Sequence, residues 1–233
     1  MRIEAVLGLA VALAMAGSAR ADIVIDFAGL GLDTGTVKYL GGATSLIGAG
    51  IEIGTVTGAG VPTNDGITDA ITGGVLSFTT GALSSYSAGV YLFGPGGTIT
   101  VTGSGPGCTT VGGCAAHAGN IASGPTLMTG SLVSATFIGN SIKLVLANGA
   151  DTKDPYLVQY FGLRPGATTW EFSGTVHTTT AVIDSATTHA FHTTAGHSTD
   201  ISNSATVPDG GVTLMLLGSA LVGLETLRRK VRA

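Results

Sequence analysis

Between residues 22 and 206 side-chain character switches at every second position in one segment after another, and a two-residue period admits strands and little else. Residues 169–177 (TWEFSGTVH) put Trp170, Phe172 and Val176 on one face and Glu171, Ser173, Thr175 and His177 on the other. Residues 22–28 align Ile23, Ile25 and Phe27, and 98–102 alternate Ile99 and Val101 with threonines. Residues 132–138 bring Val133, Ala135 and Phe137 together, and 141–146 do the same with Ile142, Leu144 and Leu146. Further strands are predicted at 36–40, 51–57, 75–79, 89–93 and 156–163. Turn signals separate them at Gly41-Gly42, Asn64-Asp65-Gly66, Gly94-Pro95-Gly96-Gly97, Gly139-Asn140, Asn148-Gly149 and Pro165-Gly166.

Glycine reinforces this reading, with 32 of the chain's 38 between residues 22 and 206. That density, with abundant Thr, Ser and Val, disfavours helix and favours strands joined by tight turns. No every-third-residue period is present, which excludes collagen. Disorder is the competing reading of so few charges, and the alternation stands against it. The expected fold is all-β, an antiparallel β-sandwich of jelly-roll type built from some ten short strands. A parallel β-solenoid is second, without the repeated block it needs. Residues 201–206, rich in Ser, Asn and Thr, read as a flexible tether after a 22–200 ectodomain.

The chain ends define where such a domain goes. Arg2 opens a leader whose apolar run covers residues 5–16, and Ala19-Arg20-Ala21 sets small residues where a signal peptidase reads. Residues 1–21 are the expected signal peptide, with cleavage after Ala21 leaving Asp22 first; an uncleaved anchor is the alternative, and both export the chain. At the other end Val207, Pro208, Asp209, Gly210 and Gly211 form a short exposed motif. An apolar run follows at 212–227, about 24 Å long as a helix against a hydrocarbon core of about 30 Å. Arg228, Arg229, Lys230 and Arg232 close the chain, able to snorkel to headgroups and to hold that end inside. A soluble amphipathic or core helix and a permanent tail anchor are the other readings of this tail.

The order of motif, short apolar helix, basic cluster and chain end resembles the PEP-CTERM class of sorting signals in a VPD-type variant. The resemblance covers residues 207–233. It implies an exosortase as partner, a membrane-embedded cysteine transpeptidase of Gram-negative bacteria that cuts near the Pro motif. It further implies a transient membrane helix, a surface or extracellular destination, and cargo tied to exopolysaccharide and biofilm. Asp209 and Gly210 stand where the commonest motif has Glu-Pro, which leaves the exosortase subtype open.

Within 22–206, Lys38, Lys143, Lys153 and Arg164 face eleven acidic residues, a net of −7 with His neutral. No basic patch exists there, so the domain's charge disfavours nucleic acid and anionic lipid as partners. Cys108 and Cys114 are the two cysteines of the chain. In an oxidising compartment they are expected to form a disulfide contributing roughly 2 kcal/mol. A catalytic thiol would require a histidine partner, His117 being nearest in sequence, and a zinc site would require further ligands.

His189, His192 and His197, with His177, Asp184 and Asp200 nearby, are the metal candidates, but they match no ligand spacing and read as exposed polar residues. Asn64-Asp65-Gly66 with Asp69, and Asp151 with Asp154, are acidic loops with oxygen ligands for Ca²⁺, although Asn and Asp are also ordinary turn residues. Tyr86, Tyr91, Tyr156 and Tyr160 form either a sugar platform or core. No hydrolase elbow, phosphate loop or dinucleotide fingerprint occurs, so no catalytic residue, metal or cofactor is assigned. The expected role is structural or adhesive; a lectin-like, Ca²⁺-assisted carbohydrate module is the alternative, and a secreted hydrolase a third reading.

Overall fold

A computed structural model describes residues 23–31, 34–106, 126–139, 143–166 and 169–206. The expected signal-peptidase site at Ala19, Ala21 and Asp22, the cysteines Cys108 and Cys114, His117, the motif 207–211, the expected helix at 212–227 and the basic cluster at Arg228, Arg229, Lys230 and Arg232 all lie outside the described residues. Among the described residues, no helix is long and apolar enough to cross a membrane.

The strands are β1 (Ile23–Ala28), β2 (Thr36–Tyr39), β3 (Ser45–Ala59), β4 (Thr68–Ser87), β5 (Val90–Phe93), β6 (Gly97–Ser104), β7 (Thr126–Ser131), β8 (Ser134–Ile138), β9 (Lys143–Lys153), β10 (Thr169–Ser185) and β11 (Ala190–Thr206). Among the described residues one short helix, α1 (Pro155–Tyr160), interrupts them. All eleven strands belong to one antiparallel sheet. β1 and β2 share one slot between β3 and β11. β5 and β6 share another beside β4, and β7 and β8 a third beside β9. The eleven strands therefore form eight courses, three of them interrupted. β11 pairs with both β1 and β2, so the sheet closes on itself.

The expected all-β antiparallel class holds. The two layers of the expected sandwich are opposed walls of one closed sheet around one core. A jelly roll would set sequence-distant strands side by side; here, apart from the closing pairs, adjacent courses are consecutive in sequence. Strands are also longer than the turn signals suggest, because Asn148-Gly149 is absorbed into β9 as a register shift opposite Phe172 and Gly174.

Inward positions are largely apolar and outward ones largely Thr and Ser, the reverse of a lipid-facing barrel. Gly48, Gly58 and Gly130 leave room for aromatic rings. A Cβ at Gly58 would meet the Phe161 ring at 2.5 Å, and one at Gly130 the Phe172 ring at 2.7 Å. Near the hairpin ends of the courses Tyr39, Tyr91, Phe93, Phe137 and Phe191 fill the bore, Phe137 stacked on Phe191 at 4.3 Å. Val133 does not join Ala135 and Phe137 as expected: the break between β7 and β8 resets the alternation, burying Leu132 and exposing Val133.

Two expectations are corrected. In place of the strand expected at 156–163, residues 155–160 form α1, because the Asp154 carboxylate caps the free amides of Tyr156 and Leu157 and Pro155 opens the first turn. Leu157, Val158, Tyr160 and Phe161 are buried. Residues 201–206 are not a tether: they end β11, with Ile201, Asn203 and Ala205 inward and paired to both β1 and β10. Asn203 reads as a loop residue, yet its buried Nδ2 donates to the Ile25 and Ile201 carbonyls and stitches the closing seam.

Candidate functional site

Following the courses up and down sorts the connections into two poles. Ile23 and Thr206 lie at one, together with the 60–67 turn and α1; the β2–β3, β4–β5 and β10–β11 turns lie at the other. At the terminal pole α1 closes the mouth from β9 toward the β3–β4 turn. Thr63 Oγ1 and Asn64 Nδ2 each donate to the Tyr160 carbonyl at 2.8 Å, and the Tyr160 hydroxyl donates to Asp69 at 2.8 Å. Burial, then that carboxylate, pushes the Tyr160 phenol up to about 12.

This network accounts for the residues considered as Ca²⁺ loops. Asn64 and Asp69 hold α1, Asp154 caps it, and Asp151 lies on β9. No group of three or more His, Cys, Asp or Glu suited to a metal occurs among the described residues.

The hairpin pole carries the exposed aromatic surface. Tyr86 stacks on His189, ring centroids 3.9 Å apart and 24° from parallel. His189 and Ala88 hold left-handed backbone at φ 58° and 48°, conformations that cost energy without a glycine and here set the two turns facing one another. Close by, His192 Nδ1 sits 2.8 and 2.9 Å from the two Asp184 carboxylate oxygens. Of the two readings of the four tyrosines, core holds for Tyr91 and Tyr160, which are buried, and no four-tyrosine platform is assembled, because Tyr86 and Tyr156 lie at opposite poles. His177 lies outward on β10, away from this cluster.

Sequence reasoning misses two acid sites. Asp26 on β1 and Asp200 on β11 are hydrogen-bonded carboxyls on the outer wall, and burial, then the Asp200 hydrogen bond and charge, raise Asp26 to about 7. Alternation around Asp26 indicates its face, but only the closing pairs bring Asp200 to it. The second site lies inside. Lys153 Nζ is 2.5 Å from Asp151 Oδ1 and 4.1 Å from the Trp170 ring centroid, and neither charged side chain has any solvent exposure. Burial pushes Lys153 down to about 8, against the pull of Asp151, and raises Asp151 despite Lys153. Asp151 Oδ2 has no hydrogen-bond partner among the described residues. The signal is present as ADTKD, two charges at strand spacing.

No known protein family, no curated protein and no solved structure matches this chain.

Proposed function

We propose that this is an exported envelope or extracellular-matrix protein, sorted by an exosortase and serving a structural or adhesive role linked to exopolysaccharide. The observation that carries the reading is the ordered tail of motif 207–211, apolar run 212–227 and basic cluster 228–233. The fold fits it. With Ile23 opposite Ala205, the ends of the described domain share one pole, so a membrane handle beyond Thr206 leaves the hairpin pole pointing away from the bilayer. Signal peptidase and exosortase are its processing partners, and the disulfide expected between Cys108 and Cys114 suits the oxidising route.

The test is a chain tagged internally at the 186–188 turn and again after Ala233, expressed in its host. The reading expects the internal tag in the medium or on the surface without the terminal one, and Pro208→Ala with Asp209→Ala to leave both tags in the membrane fraction. Equal processing of the variant would overturn the sorting motif.

A second reading, carbohydrate binding, is favoured by one observation, the Tyr86–His189 stack exposed at the hairpin pole. Flat π faces suit sugar rings. It predicts a saturable rise in thermal stability with host exopolysaccharide that Tyr86→Ala removes; no shift in either protein would refute it.

A further inference from the structure

The Lys153–Asp151 pair is the least economical feature of the barrel. A buried ion pair recovers its desolvation cost only with good geometry and full hydrogen bonding, and here one carboxylate oxygen has no partner among the described residues. We propose that the two side chains are joined by an amide bond between Lys153 Nζ and Asp151 Cγ.

The geometry supplies what condensation needs. Nζ lies 2.5 Å from Oδ1, the oxygen bonded directly to Cγ, so the two groups are held together, and the Trp170 ring covers the amine. Both side chains are sealed from the water that would reverse the step. The reactive forms are the neutral amine and the neutral acid, the forms an apolar interior favours. With Lys153 near 8, about one amine in ten is neutral at pH 7.

Nζ attacks Cγ and the N–C bond forms. One amine proton passes to Oδ2, which no donor restrains and which already carries the acid proton. The Cγ–Oδ2 bond then breaks, and water leaves. Nothing is oxidised or reduced, and no co-reactant is required. The loop closed spans only three residues, so little unfolded-state entropy is removed. What the bond changes is the interior: two buried charges become one neutral amide.

Intact mass and tryptic mapping of the purified full chain decide this. The expected protein is lighter than its sequence by one water, with fragmentation placing the loss between Asp151 and Lys153 and trypsin failing to cut after Lys153. Lys153→Met, which keeps an apolar stem against Trp170, should restore the full mass. Asp151→Asn should lose ammonia in place of water and reach the same final mass as the condensed parent. Full mass with cleavage after Lys153 would overturn the proposal. A water loss mapped instead to an aspartyl-glycine site, Asp65-Gly66 or Asp209-Gly210, would also overturn it.

Discussion

Replacing Asp26 by asparagine should change how stability depends on pH, in a direction fixed by the closing seam. Asp26 titrates near 7 in the folded barrel, raised by burial and by Asp200, against 3.8 for an ordinary aspartate. Between those values the folded state holds a proton that the unfolded chain releases. The stabilisation is therefore complete below about pH 4 and lost as pH rises through about 7. A fully buried carboxyl shifted that far would correspond to about 4 kcal/mol. Asp26 is only partly buried, so solvent screening reduces this to about 1–2 kcal/mol.

The amide introduced by Asp26→Asn is neutral at every pH and can still donate to Asp200. The variant should match the parent at pH 4 and exceed it by about 1–2 kcal/mol at pH 8, a Tm rise of about 2–8 °C at this size. Thermal melts from pH 4 to pH 8 measure the difference between the two curves, which cancels the titrating groups that do not touch Asp26. Parallel curves would refute the shared-proton reading of Asp26 and Asp200.

Three further substitutions probe the barrel's construction. Gly58→Ala should cost about 1–3 kcal/mol in urea unfolding, because its Cβ meets the Phe161 ring of the pole closure and overpacks it. Asn203→Asp should cost more, about 3 kcal/mol or above at pH 7 and less at pH 4, because it buries a charge at the seam where the amide donates to two carbonyls. Asp154→Ala should remove the cap of α1 for about 1 kcal/mol, seen as a lowered urea midpoint with an unchanged slope.

Strand identity is legible because alternation is local: Trp170, Phe172 and Val176 face inward as their spacing requires. Misreadings arise where a polar or turn-forming residue plays a structural part inside a strand. Asn203 satisfies seam carbonyls, and Asn148-Gly149 is a register shift, so both look like loop. The helix at 155–160 is marked by Asp154-Pro155, a signal outweighed by the β-favouring Tyr and Val around it. Closure is not legible, since pairing β11 with β1 joins residues about 180 apart in sequence, such as Ile23 and Ala205. The Asp26–Asp200 site depends on that closure, and the Tyr86–His189 stack on the placement of turns far apart in the chain. Only the Lys153–Asp151 pair is written locally, as two charges one strand repeat apart.

The most direct test of the account is the intact mass of the mature protein isolated from its own host, read at both termini. The account predicts a chain that begins at Asp22 and ends near Pro208, without Arg228, Arg229, Lys230 and Arg232. A chain still carrying Arg232 and Ala233 would contradict it, and would make the C-terminal segment a permanent anchor in place of a sorting signal.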